Sequence, residues 1–251
     1  MDTSKVDEHR RAANMALARL VQQALLPREC PRCSGANVAA KYRPVEEVGG
    51  DFYDFIHLGP EQIGLLIGDV VGHGIHSALV MSLLLGRLRA SRRERLHPAK
   101  IISEINNLLV ELSNSSGEVM LCSLFYGVLD VPSRVLFYVD AGHPPPLCCR
   151  PGRITSLVSN AMLLGVEDFQ TEEQCHQFEY GDRLVLYTDG VVEARDKHGS
   201  VYSLKRLQQA LQSQWGCSAE QTVQHIFAEL ESFSSEHGPE DDATIVVMDL
   251  V

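Results

Sequence analysis

Four aspartates in this chain stand at glycine-rich turns or at the ends of apolar runs. They are Asp51 in Gly49-Gly50-Asp51-Phe52-Tyr53-Asp54, Asp69 in Gly68-Asp69-Val70-Val71-Gly72-His73-Gly74, Asp189 in Tyr187-Thr188-Asp189-Gly190, and Asp241 in Glu240-Asp241-Asp242-Ala243-Thr244. Carboxylates brought together at the ends of buried strands repel one another unless a cation holds them, and hard divalent ions suit that place. The glycines beside them, Gly50, Gly68 and Gly190, let backbone approach closely, which frees a carbonyl such as that of Val70 as a further oxygen ligand. Oxygen-only ligands select Mg2+ or Mn2+, because zinc or copper would call for His or Cys. Two such ions clamp the entering and leaving oxygens of a phosphoryl group and acidify water, so metal-assisted hydrolysis without a protein nucleophile is the chemistry expected. Each motif alone also reads as a turn, and Asp54 or Asp242 as a simple cap; the set of acids carries the functional reading.

Other phosphoryl-transfer chemistries lack their residues. No Cys is followed six positions later by Arg, no G-x-x-x-x-G-K-[ST] loop occurs, and no D-x-D triplet offers an aspartyl nucleophile. Gly72-His73-Gly74 begins a dinucleotide-type pattern, but Ser77 stands at its third glycine.

The elements that must position these acids follow from periodicity. Residues 6–26 read as a helix with Leu17, Leu20, Val21, Ala24 and Leu25 on one face, stopped by Pro27. Strands are expected over 38–42, 51–57 and 62–67, then a helix bearing Leu79, Val80, Leu83, Leu84 and Leu88, and a second opened by Pro98. Strands resume at 121–130, 134–140, 147–150, 153–158, 174–180 and 183–187. Helices at 203–212 and 219–233 precede a last strand, 244–250. Runs of strands followed by runs of helices favour an α+β fold with antiparallel pairing.

Composition bounds the rest. With 251 residues and 45% hydrophobic content the chain can bury a large core. Its net charge of −11 argues against nucleic acid as a partner. Residues 1–100 hold 14 Lys+Arg against 11 Asp+Glu, and 101–251 hold 8 against 22. The basic run Arg87, Arg89, Arg92, Arg93 and Arg95 reads as a solvated helix end or as a docking patch for an acidic partner. No apolar run reaches the roughly 18 residues of a membrane span and the first 25 residues are charged throughout, so no membrane association and a cytoplasmic location are expected. The seven cysteines have no disulfide-framework spacing; Cys30 and Cys33 form a C-x-x-C that, with Cys148 and Cys149, offers zinc ligands as an alternative to incidental thiols.

Taken in order, Tyr42-Arg43-Pro44 with Val48-Gly49-Gly50-Asp51-Phe52-Tyr53-Asp54, Ile67-Gly68-Asp69-Val70-Val71-Gly72-His73-Gly74, Asp140-Ala141-Gly142-His143-Pro144-Pro145-Pro146, residues 181–190 with Glu193-Ala194, and Asp241-Asp242-Ala243-Thr244 resemble the PPM (type 2C) metal-dependent Ser/Thr protein phosphatases, in particular their SpoIIE/RsbU-like branch. The likeness runs from about residue 25 to 251. It implies an αββα sandwich of two antiparallel sheets flanked by helix pairs, with residues 28–251 as the phosphatase domain and 1–27 as a linker helix. Carried over by position, Asp69 would bridge two Mn2+ or Mg2+ ions, Asp189 and Asp241 would complete one site, and Asp51 with the Val70 carbonyl would serve the other. The implied substrate is a phosphorylated regulatory protein, such as an anti-sigma-factor antagonist. The N-terminal helix would connect to an upstream sensory domain, pair with a second copy, or simply pack at the domain edge. A catalytically silent partner-binding module of the same fold is the competing reading. Val71 stands where this branch often has Ser or Thr, Asp140 for the usual Asn, and Pro144 for a frequent Asn; none is a proposed ligand. His73 lies two positions beyond the family's histidine, so that role is not carried over, and His73 and His76 read as helix-start or packing residues.

Overall fold

Ten strands make two five-stranded antiparallel sheets, and the computed structural model describes all residues except 1, 2, 32, 91–93, 236 and 237. In chain order the elements are α1 (Thr3–Leu25), β1 (Ala36–Arg43), β2 (Phe52–His57), β3 (Gln62–Val70), α2 (Ile75–Ala90), α3 (Pro98–Ser116), β4 (Cys122–Asp130), β5 (Val135–Ala141), β6 (Leu147–Arg150), β7 (Arg153–Ser156), β8 (Gln174–Gln177), β9 (Arg183–Tyr187), the single turn α4 (Asp189–Val192), α5 (Ser203–Ser213), α6 (Ala219–Phe233) and β10 (Ala243–Leu250). One sheet has the order β1-β10-β9-β6-β7, the other β2-β3-β4-β5-β8.

The strands nearest the candidate site are buried on both faces. β9 is buried at every position and β4 at all but its last. Such strands read as continuous apolar runs rather than alternating ones. One apolar cluster joins the inner faces of both sheets to α2 and α3, and a second seals the outer face of the β1–β10–β9 sheet under α5 and α6. This is the expected αββα layering. Helix boundaries follow local chemistry: Pro98 opens α3, Gly117 closes it at φ 78°, and Ser218 with Gln221 forms a capping box on α6. Among the described residues no helix is long and apolar enough to cross a membrane.

The N-terminal helix forms, and Leu25 of its apolar stripe packs against the core, but most of the stripe does not. Leu17, Leu20 and Val21 are 61%, 64% and 57% exposed, whereas the polar Gln22 is buried. Gln22 donates from Nε2 to the Gly49 carbonyl at 2.7 Å and accepts from the Gly49 amide at 3.1 Å. Two backbone hydrogen-bonding groups of a buried loop need partners, and an amide side chain satisfies both. The arginine run divides similarly. Arg89 donates to Asp54 at 2.7 Å and to the Leu25 carbonyl at 2.6 Å, and Arg87 pairs with Glu104 at 2.9 Å. Arg92 and Arg93 lie outside the described residues. Asp54 is therefore neither cap nor turn but the buried half of an ion pair within β2.

Candidate functional site

Antiparallel pairing brings the acids to one end of the sandwich. Asp69 is the penultimate residue of β3, paired with Ser123 of β4, while Gly68 pairs with Phe52, the residue after Asp51. The Gly50 loop lies so close to Val70 that a Cβ on Gly50 would sit 2.6 Å from the Val70 carbonyl oxygen and 3.2 Å from Asp69 Oδ1. In the other sheet, Tyr187 of β9 pairs with Ile245 of β10, so the segments just beyond, Thr188-Asp189 and Asp241-Asp242, meet at the same edge. A Cβ on Gly190 would fall 2.0 Å from the Asp242 carbonyl oxygen, which is why glycine follows Asp189.

Electrostatics register the convergence. Burial, then Asp189 and Asp241, push the Asp69 carboxyl up to about 7. Burial and the charge of Asp69 raise the Asp51 pKa, and burial raises those of Asp189 and Asp241. Acids far apart in sequence thus sense one another inside a single poorly solvated edge. Among the described residues, no three His, Cys, Asp or Glu side chains are gathered tightly enough to hold a metal ion as they stand. The four aspartates and the Val70 carbonyl nevertheless supply only oxygen donors, the kind that hard divalent cations take.

Two residues given no role from the sequence, Thr188 and Thr244, and Asp242, read there as a cap, hold Asp51 in place. Asp51 Oδ2 accepts hydrogen bonds from Thr188 Oγ1 at 2.7 Å and Thr244 Oγ1 at 2.6 Å, and Thr188 Oγ1 in turn accepts from the Thr244 amide at 2.9 Å. Asp242 grips the loop that carries Asp51: its Oδ2 accepts from the Gly50 amide at 2.7 Å and its Oδ1 from the Val45 amide at 2.8 Å. Asp242 is thus more than a turn residue, and its carboxylate is already engaged with backbone. The signal for all three lay in adjacency, since each stands within three residues of a proposed ligand.

His73 is exposed and pairs with Glu46 at 2.9 Å, so it is not a packing residue; His76 Nε2 lies 2.9 Å from the Met120 sulfur. His143, from the Asp140-Ala141-Gly142-His143 motif, is buried, its Nδ1 2.8 Å from Ser123 Oγ and its amide donating to Asp140 Oδ1 at 2.9 Å. Burial holds the His143 pKa down at about 3, against a smaller raising effect of the Tyr187 carbonyl. Cys148 and Cys149 are buried in β6, and all seven cysteines are free thiols.

Comparison with known proteins agrees with this architecture. The family profile "Stage II sporulation protein E (SpoIIE)" matches residues 59–251. The phosphoserine phosphatase RsbU of Bacillus subtilis (strain 168) is 26% identical over 239 residues, covering 94% of this chain and 70% of RsbU. The solved SiaA-PP2C domain of Pseudomonas aeruginosa superposes with a TM-score of 0.83 at 20% identity, over 98% of this chain and 99% of that one. The catalytic domain of the serine threonine protein phosphatase PstP, solved in complex with two manganese ions, superposes at 0.63 with 16% identity, over 86% and 98% of the two chains.

Proposed function

This chain belongs to the SpoIIE family, and from that premise we propose that it is a metal-dependent phosphatase acting on phosphoserine or phosphothreonine of a regulatory protein. The observation that carries the proposal is the meeting of Asp51, Asp69, Asp189 and Asp241, from both sheets, at one desolvated edge with only oxygen donors beside them. RsbU, similar over most of both chains, is a phosphoserine phosphatase, and PstP takes two manganese ions on a sandwich of this shape. Residues 28–251 would form the catalytic domain and 1–27 the linker helix. The free thiols suit a reducing compartment such as the cytoplasm.

Asp69, Asp189 and Asp241 on one side and Asp51 with the Val70 carbonyl on the other would hold the ions, Mn2+ or Mg2+. When bound, these supply charge neutralisation at the phosphoryl oxygens and a more acidic water. The chain's own residues do the positioning. Thr188 and Thr244 fix one oxygen of Asp51, leaving Oδ1 free of both hydroxyls, and Asp242 anchors the Gly50 loop from the opposite sheet. A phosphorylated regulatory protein such as an anti-sigma-factor antagonist, the kind the resemblance implies, is the proposed substrate.

Turnover of a phosphoserine peptide and of a generic phosphate ester, with Mn2+ and with chelator, tests the reading. Activity should require the cation and fall at least 100-fold in Asp69→Asn and Asp189→Asn. Mn2+ binding without turnover would favour the silent partner-binding module, and unchanged turnover in either variant would remove the metal mechanism.

A further inference from the structure

The His143 imidazole is buried, meets β4, the strand paired with the Asp69-bearing β3, and has the end of β9 beside it. Through Nδ1 it meets Ser123 Oγ at 2.8 Å, and Ser123 faces Asp69 across the β3–β4 ladder. Directly paired residues of an antiparallel ladder project from the same face, about 4.5–5.5 Å apart at Cβ, so Ser123 and Asp69 are side-chain neighbours. The other ring nitrogen, Nε2, is buried without a hydrogen-bond partner among the described residues, and the backbone carbonyl beside the ring is that of Tyr187. Tyr187 ends β9, two residues before Asp189. The ring is held from behind as well. Gly142 turns at φ 68°, where an added Cβ would meet the Leu163 amide nitrogen at 3.0 Å, and the His143 amide is tied to Asp140.

From this geometry we propose that His143 is a positioning residue, a cross-brace between β4 and β9 that sets the spacing at which Asp69 and Asp189 can share a cation. The inference rests on the metal centre proposed above. A buried imidazole kept neutral has one N–H and one acceptor nitrogen, and the surroundings assign them. In the proposed brace the Ser123 hydroxyl donates to Nδ1, which leaves the proton on Nε2 for the Tyr187 carbonyl. Ser123 and Tyr187 would then face the two ends of one ring, and removing the ring would leave both sheets without that strut. Outer groups that orient metal ligands typically contribute about 10–100-fold to metal affinity.

The test measures Mn2+ binding directly, from the electron paramagnetic resonance signal of free Mn2+, in wild type, His143→Ala, His143→Gln and Asp69→Asn. The expected result is about tenfold weaker binding in His143→Ala, a smaller loss in His143→Gln, which keeps a donor for the Tyr187 carbonyl, and near-complete loss in Asp69→Asn. Unchanged affinity in a folded His143→Ala, with binding lost in Asp69→Asn, overturns the brace and leaves the metal centre standing. Wild-type affinity in Asp69→Asn overturns the metal centre and the brace with it. If His143→Ala does not fold, the imidazole nitrogen shifts of 15N-histidine-labelled wild type decide. A neutral ring protonated on Nε2 supports the brace, and one protonated on Nδ1 refutes it.

Discussion

Replacing Thr244 by Val separates the hold on Asp51 from the rest of the site. The two side chains have the same shape, both Thr244 and Asp51 are buried, and among the described residues the bond lost is the 2.6 Å hydrogen bond from Thr244 Oγ1 to Asp51 Oδ2. A hydrogen bond to an ionised oxygen contributes about 1.5–3 kcal/mol and one to a neutral oxygen about 0.5–1.5 kcal/mol. Burial and Asp69 raise the Asp51 pKa, so a proton competes with the cation for this carboxylate, and the hydroxyl opposes the proton. Cation affinity therefore feels the difference, about 1 kcal/mol, or roughly a fivefold loss of Mn2+ affinity where Asp51 is protonated before the ion binds. Thr188→Val loses the matching bond and also strands the Thr244 amide that Thr188 Oγ1 accepts. That buried N–H costs about 1–3 kcal/mol more in folding stability. The two variants should thus match in Mn2+ affinity by titration calorimetry and differ in urea unfolding with chelator present. An affinity for Thr244→Val within twofold of wild type would show that the Thr244 hydroxyl does not govern cation binding at Asp51, and equal stability of the two variants would show that the Thr244 amide does not depend on Thr188.

Two further substitutions probe the same framework. Asp140 is buried, Oδ2 has no hydrogen-bond partner among the described residues, and burial lifts its pKa to about 7. A carboxyl raised above its unfolded value contributes most at low pH and loses that contribution as pH climbs to about 7, whereas His143, depressed to about 3, costs stability as pH falls below about 6.5. The two slopes oppose each other between about pH 4 and 6.5; Asp140→Asn should remove one, stabilising the protein by about 1–4 kcal/mol at pH 7.5, with the gain vanishing by pH 4 in urea titrations. Gly49→Ala would place a Cβ 1.8 Å from Asp242 Oδ2, so it should unfold at least 2 kcal/mol more easily and lose Mn2+ binding; a well-folded variant with wild-type affinity would show that Asp242 does not anchor the loop.

Much of this was legible in the residues because local chemistry decides it. Asp69 and Asp189 declare themselves by following apolar runs that can only be buried strands, and the glycines beside them mark close backbone approach. Pro98 and Pro27 place helix boundaries in the same way. What local chemistry cannot encode is which surface another element will cover. The stripe of Leu17, Leu20 and Val21 obeys helical periodicity, yet these three stay exposed while the polar Gln22 is buried, because its partner is a glycine loop whose carbonyl and amide need hydrogen bonds. Thr188 and Thr244 are ordinary strand-end residues until β9 and β10 pair and bring their hydroxyls to an acid from the opposite sheet. The pairing of β1 with β10, near the two ends of the chain, has no short-range signature at all.

The buried amide of Gln22 bears on how this protein can be dissected. A fragment cut at the apparent boundary after residue 27 would keep every proposed ligand, yet it would strip the Gly49 carbonyl and amide of their partners one position from the Gly50 anchor. Water would have to take over contacts now made in the interior. Weak activity in such a trimmed protein would then report a damaged loop rather than a missing regulator, and Gln22→Ala in the uncut chain is the control that tells the two apart.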